Sequence, residues 1–137
     1  MAFLTNRSAP ATVGVPESTG VELTLLWENG LPNNAFAAQT LTLDLAGYDL
    51  ITIEYYYPSE EMGRGLVASQ SAANIEGNSI RLMIVAGIST NPYAQSRDAT
   101  IQANGIKFTA GNRAGSTNNN ACTPFRIYGL KGVTWTR

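Results

Sequence analysis

Few residues of this chain could carry acid–base or nucleophilic chemistry, because its 137 residues include no histidine. Histidine is the commonest general base, a common metal ligand and the usual partner of a serine or cysteine nucleophile. Its absence effectively excludes hydrolytic triads. The single cysteine, Cys122, has no second thiol and no imidazole with which to form a zinc site or a redox pair within one subunit. We therefore expect Cys122 to be a small buried apolar residue.

Carboxylates are the remaining candidates for catalysis. Glu60 and Glu61 lie in the segment PSEEMGRG, directly after three consecutive tyrosines, and a glycosidase needs two correctly spaced carboxylates beside aromatic platforms. Adjacent acids in a turn are more often a solvated loop, which is the interpretation we favour. No stretch repeats acids at alternate positions as a calcium loop does, and a surface loop explains the asparagines at 118–120 as well as a cation site does. The sequence predicts no enzyme, no metal and no cofactor.

Aromatic side chains are stronger candidates for binding, since tyrosine and tryptophan present flat, amphipathic surfaces. Tyr55, Tyr56 and Tyr57 are consecutive, so alternation along a strand turns Tyr56 away from the face that carries Ile51 and Ile53. We expect Tyr56 to be exposed or to lie in a subunit interface. The candidate interface or ligand contacts are Phe3, Leu4, Tyr56, Tyr93 and Trp135.

Alternating apolar and polar residues predict the strands that position these candidates. The segment VELTLLW predicts a half-buried strand with one apolar face, made of Val21, Leu23, Leu25 and Trp27. Trp27 is expected to be a core residue, because large aromatics anchor small β cores. The segments TLTLDL and DLITIEYYY repeat the pattern, with apolar faces made of Leu41, Leu43 and Leu45, and of Ile51, Ile53, Tyr55 and Tyr57.

Further strands are predicted at 65–70, 79–86, 99–103 and 106–109, and in the closing segments PFRIYGL and KGVTWTR. Asn104-Gly105 predicts a hairpin with a type I′ turn, since both residues tolerate a positive φ. The segment GNRAGSTNNNACT is expected to be an irregular loop, and one helical turn is considered at 35–38 or 69–74. The count is about eight strands.

About eight short strands without an amphipathic helix indicate an all-β fold, an antiparallel β-sandwich with a jelly-roll as first choice. The sandwich is expected to span residues 21–137. Residues 1–20 mix Ser, Thr, Pro, Ala and Gly without a period, which predicts an extended N-terminal arm. A neighbouring subunit is one anchor for such an arm, and the surface of its own domain is the other.

The charge of the chain bears on its partners. Nine basic residues balance ten acidic ones, and charged residues make up only 14% of the chain, so no strong field is available to hold nucleic acid or an anionic membrane. No apolar stretch is long enough to span a bilayer, and the opening residues are too short and uncharged for a signal peptide. We expect a protein that is made and kept soluble in the cytosol, with neither nucleic acid nor membrane as partner.

Three segments resemble small modules of bacteriophage structural proteins, namely fibre-tip and capsid-accessory domains. They are LTLLWENGLPNNAFAAQTLTLDLAGYDLITIEY, the Asn-rich approach to Cys122, and FRIYGLKGV. The resemblance covers about residues 21–133 and is one of residue character and order, without a catalytic motif, so no functional residue is carried over. It implies a virion role. Such domains commonly form trimers with jelly-roll-like sandwich folds, so both are implied for this chain.

Two virion roles fit this layout. In the favoured one, the chain is a capsid decoration or accessory protein that starts at its own Met, and its arm runs over capsid subunits. The alternative is a tail-fibre tip or receptor-binding module that grips a host-surface glycan. A free carbohydrate-binding or glycan-cleaving domain is a third hypothesis. The expected partners are other virion proteins and further copies of the chain, and the expected location is the virion, assembled in the host cytoplasm.

Overall fold

The computed structural model of this protein describes residues 20–59, 64–86 and 93–133. The strands of this part of the chain are β1 (Glu22–Glu28), β2 (Gln39–Thr42), β3 (Leu50–Ser59), β4 (Arg64–Ala73), β5 (Ser79–Ala86), β6 (Tyr93–Gln102), β7 (Gly105–Phe108), β8 (Asn112–Arg113), β9 (Ser116–Thr117) and β10 (Thr123–Lys131). The described residues contain no helix. The arm up to residue 19, Glu60, Glu61 and the end of KGVTWTR lie outside them.

The strands form two antiparallel sheets, which confirms the all-β sandwich. Sheet A has the order β1–β10–β3–β4. Sheet B has the order β2–β7–β6–β8–β9, and β5 pairs with β6 along its other edge. Strands β3 and β4 pair within sheet A, and β5 and β6 pair within sheet B. This order leaves the narrower jelly-roll expectation unconfirmed.

The core lies between the sheets and is built from the inward faces of the strands. On β3, Ile51, Ile53 and Tyr55 are buried as the alternation predicts. Leu45 is buried, and Leu41 and Leu43 pack against the core, so the predicted apolar face of TLTLDL is correct although β2 ends at Thr42. The core cluster comprises Phe36, Leu45, Ile51, Ile53, Tyr55, Ile80, Leu82, Ala99, Ile101, Ile106, Phe108, Cys122 and Ile127. The buried position predicted for Cys122 is confirmed.

Strand β1 exposes most of the apolar face that the sequence predicts to be buried. Val21, Leu23 and Leu25 are 55%, 62% and 48% exposed, so this part of the prediction is wrong. The register of β1 against β10 shifts between Leu25 and Trp27, and the extra residue of such a bulge re-aims the side chains that follow. Trp27 therefore points inward, where its ring packs edge-on against Phe36 with 6.0 Å between centroids. Trp27 packs against the core but stays partly exposed, so the core position predicted for it is met in part.

The hairpin predicted at Asn104-Gly105 is present, but its turn differs from the prediction. Gln102 pairs with Gly105, so the two loop residues are Ala103 and Asn104. Neither has a positive φ, and the predicted type I′ geometry is therefore wrong. Gly105 is required by a close approach instead, because a Cβ at this position would overlap the carbonyl oxygen of Leu41 on β2.

A turn with positive φ at both central positions joins β8 to β9. Its residues are Ala114 and Gly115, with φ of 52° and 87°, and they lie between the pairs formed by β8 and β9. These values belong to a type I′ hairpin. The composition of the segment GNRAGSTNNNACT predicts an irregular loop throughout. Part of the segment instead forms this small hairpin.

Several predicted boundaries change. Residues 35–38 are irregular and 69–73 belong to β4, so neither segment forms the single helical turn considered for it. Strand β4 extends beyond 65–70, and β6 begins at Tyr93, well before residue 99. Near the C-terminus, the strand predicted at PFRIYGL is present within β10, which ends at Lys131. Most of the second predicted segment, KGVTWTR, lies outside the described residues. Ser79–Ala86 is a strand as predicted.

A buried arginine holds three loops against β6. Arg97 is 1% exposed, and burial lowers the pKa of its guanidinium to about 10. It donates hydrogen bonds of 2.8 to 3.2 Å to backbone carbonyl oxygens of Phe36, Thr109, Asn119, Ala121 and Cys122. The backbone amide of Gly111 also donates to Asn119 Oδ1. The asparagine loop predicted to be a surface loop is thus tied to the core by the hydrogen bonds of its backbone.

Tyr55 joins the two sheets. Its hydroxyl donates to the carbonyl oxygen of Met83 over 2.8 Å and accepts from the Met83 amide over 3.2 Å. Met83 lies on β5, which pairs with β6 along one edge. The hydroxyl of Tyr55 therefore satisfies backbone groups on the other edge of β5, where sheet B has no further strand among the described residues.

Candidate interaction surface

Metal-binding and nucleophilic groups do not converge within the described residues. No group of three or more His, Cys, Asp or Glu in this part of the chain could hold a metal ion. Burial raises the pKa of the Cys122 thiol to about 11, so the nucleophilic thiolate is scarce at neutral pH. No described segment forms an apolar helix long enough to cross a bilayer. In this part of the chain, the remaining candidates for a functional site are therefore exposed binding surfaces.

The outer face of sheet A, which points away from the core, carries side chains in four rows across its strands. The first row holds Leu23, Leu130, Leu50 and Ala73. The second holds Leu25, Tyr128, Thr52 and Ser71. The third holds Glu28, Arg126, Glu54 and Ser69. The last holds Tyr56 and Val67, beside Phe125. The first two rows together with Val21 are called the apolar half. The third row is called the ionic row, and the last row is called the aromatic half.

The apolar half begins at the edge strand and continues towards the middle of the sheet. Leu23 and Leu25 on β1 are exposed, as is Val21 directly before the strand. Leu130 lies opposite Leu23 on one side and Leu50 on the other, and both Leu130 and Leu50 are half-buried. These aliphatic side chains are contiguous, in contrast to the single exposed apolar residues that are normal on a protein surface.

The ionic row crosses the middle of the face. Arg126 Nε donates to Glu28 Oε2 over 3.2 Å, and its Nη1 donates to Glu54 Oε1 over 3.1 Å. The hydrogen bond that Arg126 donates to Glu54 is the main cause that raises the pKa of Arg126 above its ordinary value. One arginine against two glutamates leaves the row with a net charge of one negative unit at neutral pH. Because all three side chains remain partly exposed, the row contributes little to stability and mainly divides the face.

The aromatic half contains the predicted contact Tyr56. Tyr56 is half-buried on the outer face, where strand alternation places it, and its ring centroid lies 6.3 Å from that of Phe125. The guanidinium of Arg126 lies 3.9 Å from the centroid of the Phe125 ring, within the range of a cation–π contact. Val67, opposite Tyr56, is 52% exposed. Two rings, a cation and an aliphatic side chain thus lie together.

The other predicted contacts are not part of this face. Tyr93 begins β6 in sheet B, and the guanidinium of Arg113 lies 4.2 Å from the centroid of its ring. Tyr56 and Tyr93 therefore belong to different sheets and do not form one cluster. Phe3, Leu4 and Trp135 lie outside the described residues.

Sequence analysis assigned Val21, Leu23 and Leu25 to the core and did not identify the apolar half as a surface. Leu23 and Leu25 were expected to face inward with Trp27, and neither Leu50 nor Leu130 was singled out. The one local signal was the pair of adjacent leucines that ends the alternation of VELTLLW. An apolar residue on each side of a strand marks a place where a bulge can exchange the faces.

No family model, sequence relative or solved structure matches the chain. Contiguous aliphatic side chains, half-buried aromatic rings and paired charged groups are elements of protein–protein interfaces.

Proposed function

We propose that this chain is a non-catalytic assembly protein of a bacteriophage particle. In this role it is a decoration or accessory protein that binds other virion proteins through the outer face of sheet A and through its N-terminal arm. The observation that carries the binding role is the contiguous exposure of Val21, Leu23 and Leu25 on the outer face of sheet A. The resemblance of residues 21–133 to small phage modules supports the virion as the location.

The contact surface is suited to a protein partner. Burying aliphatic and aromatic side chains removes apolar area from water, which is the main favourable contribution to association. The net charge of the whole chain is −1, so the hydrophobic contribution is not opposed by strong repulsion from a neutral or acidic partner. Nucleic acid and anionic membranes are not proposed as partners, because the chain has no excess of basic residues to bind their phosphate groups.

Chemistry is not part of the proposed role. The chain has no histidine, which removes the usual general base. The thiol of its one cysteine is fully buried. The polar row on the proposed surface is already paired within itself. A surface of this kind can bind, but it does not present an activated group to a substrate.

Attachment to particles tests the proposal. Full-length chain is mixed with phage particles that lack it, and the bound fraction is measured by co-sedimentation. We expect Tyr56→Ala combined with Phe125→Ala to reduce attachment at least tenfold. The matched control is Tyr93→Ala on sheet B, which is expected to attach normally. Circular dichroism and thermal melting check that each variant is folded.

The arm is tested in the same assay. Removing residues 1–20 is expected to abolish attachment while the β-sheet spectrum is retained. Attachment of the truncated chain at the full level would remove the arm from the proposed role. Attachment of the Tyr56→Ala and Phe125→Ala double variant at the level of the Tyr93→Ala control would remove the outer face. An image of particles carrying labelled chain then assigns the head or the tail.

Receptor binding is the second candidate function, and the aromatic half favours it. The rings of Tyr56 and Phe125 lie beside the paired polar groups of Arg126, and rings next to hydrogen-bonding groups are also the elements of a glycan-binding surface. A glycan array probed with full-length chain distinguishes the two functions. Binding that is lost in Tyr56→Ala, together with no attachment to particle heads, would favour the receptor-binding role.

A further inference from the structure

Strand β5 lies at an edge of sheet B, and its outer side has no strand partner among the described residues. Met83 directs its amide and carbonyl groups to that side, where both bond to the hydroxyl of Tyr55. In an antiparallel strand every second residue points its backbone groups the same way. Arg81 and Val85 therefore offer further donors and acceptors on either side of Met83, which is the arrangement with which an added strand pairs.

The sequence of β5 favours the addition of a strand. Ser79–Ala86 reads SIRLMIVA, without proline or glycine, and its register against β6 has no bulge. Met83 and Val85 are 43% and 69% exposed, and the charge of Arg81 is paired with Asp98. Prolines, bulges and unpaired charges are the usual protection of an edge strand, and β5 has none of them.

The hydroxyl of Tyr55 occupies the middle of this edge. It accepts a hydrogen bond from the Met83 amide over 3.2 Å and donates one to the Met83 carbonyl oxygen over 2.8 Å. A strand added along β5 would have to take both of these backbone groups. Because Tyr55 is only 1% exposed, its hydroxyl would then be buried without a partner, which is unfavourable.

We propose that the Tyr55 hydroxyl blocks the β5 edge, and that without it two copies of this chain pair through β5 in antiparallel orientation. A second copy fits, because the alternating donors and acceptors of an edge strand match those of its own two-fold mate. With the two-fold axis at Met83, Arg81 of one copy lies opposite Val85 of the other. This edge belongs to sheet B, so the block is independent of the function proposed for sheet A.

Removing the hydroxyl tests the block. Tyr55→Phe keeps the ring in the core, and full-length chains are compared by multi-angle light scattering at increasing concentration. The variant is expected to reach at least twice the mass of the wild type at the same concentration. Ile127→Val, which removes a buried methyl group from β10, is the matched control for lost stability and is expected to keep the wild-type mass.

A charge on β5 is expected to reverse the association. Val85→Lys places a cation opposite Arg81 of the second copy, so adding it to Tyr55→Phe should restore the wild-type mass. Ile75→Lys is the matched control for added charge, because Ile75 is 60% exposed and lies outside the strands. Adding this control to Tyr55→Phe should leave the mass doubled.

Hydrogen exchange identifies the strand that pairs. In a dilute sample of Tyr55→Phe, the amide of Met83 is expected to exchange faster than in the wild type. In a concentrated sample, the amides of Arg81, Met83 and Val85 are expected to become protected together, since alternate amides enter the new ladder.

Each result decides the proposal. A Tyr55→Phe variant that keeps the wild-type mass at every concentration overturns it, as does an Ile127→Val variant that associates equally. Association that survives Val85→Lys, or that leaves the amides of Arg81 and Val85 unprotected, overturns it as well. Protection of these amides in concentrated wild type also overturns it, because the edge would then be open with the hydroxyl in place.

Discussion

The guanidinium of Arg97 donates a 2.8 Å hydrogen bond to the carbonyl oxygen of Phe36 and lies 5.3 Å from the centroid of the Phe36 ring. The same ring packs edge-on against Phe108, with 5.6 Å between centroids. Arg97 thus fixes both the backbone and the side chain of Phe36, which belongs to the core but not to a strand. A loop residue can contribute to the core here because a buried cation satisfies its carbonyl group.

Replacing Arg97 by methionine should destabilise the fold by about 3 kcal/mol or more, because several buried carbonyl oxygens lose their donor at once. Urea unfolding followed by tryptophan fluorescence measures the change in midpoint. The matched control is Arg81→Met. Arg81 pairs with Asp98 on the surface and its side chain is 60% exposed, so the control should lose little stability. Equal losses in the two variants would contradict the role assigned to Arg97.

Gly105→Ala should cost about 3 kcal/mol or more, since the new methyl group would displace the backbone of β2 at Leu41. Gly30→Ala is the control. No atom lies within 4 Å of a Cβ built at Gly30, so this variant should be neutral or slightly stabilised. Urea midpoints of the two variants compare the effects, and a neutral Gly105→Ala would show that β2 does not approach β7 so closely in solution.

Tyr55→Phe should destabilise the sandwich by about 1–2 kcal/mol, because the Met83 amide and carbonyl lose their partner across the sheets. Hydrogen exchange offers a local measure, with faster exchange expected for the amide of Met83. Tyr128→Phe, which removes a hydroxyl from the outer face of sheet A, is the control. It should leave the Met83 amide protected.

Stability should fall in mild alkali because of Cys122. Burial raises the pKa of this thiol from 9.0 to about 11, so between these values the unfolded chain loses its proton while the folded chain keeps it. The contribution of this thiol to the free energy of unfolding is therefore fully present below pH 9. It is lost as the pH rises towards 11, at up to about 1.4 kcal/mol for each pH unit.

The control for this prediction is Cys122→Ala, which removes the titrating group. Urea unfolding at pH 8, 9 and 10 should show a steeper loss for the wild type than for the variant. Subtracting the two curves cancels the other alkaline groups. A difference that does not change with pH would contradict the shifted pKa.

Sequence periodicity predicts the fold where packing follows the alternation. Ile51, Ile53 and Tyr55 point inward as expected, and Tyr56 points outward. On β1 the same rule fails. Alternation holds as far as Leu25, but the bulge turns Trp27 to the opposite face. Periodicity does not tell which face meets the core when a bulge intervenes. The apolar half of the proposed surface was missed for this reason.

Long-range contacts account for the other differences. Arg97 lies in an ordinary alternating segment. Its neighbours in the sequence do not predict that it donates hydrogen bonds to carbonyl groups of residue 36 and residues 119–122. Likewise, the pair Asn104-Gly105 suggested a positive φ at the glycine. The glycine at position 105 is explained instead by the close approach of Leu41 on a distant strand. The roles of Arg97 and Gly105 depend on contacts with residues that are distant in the sequence, which local patterns cannot predict.

The position of β10 between β1 and β3 also determines when sheet A can form during synthesis. Strand β1 leaves the ribosome first, but its only strand partner among the described residues is Thr123–Lys131. Closing a chain segment of this length is slow compared with forming a local hairpin. Until the closing residues emerge, Val21, Leu23 and Leu25 stay on an unpaired nascent strand, and a chaperone that shields this stretch would protect the growing chain from aggregation.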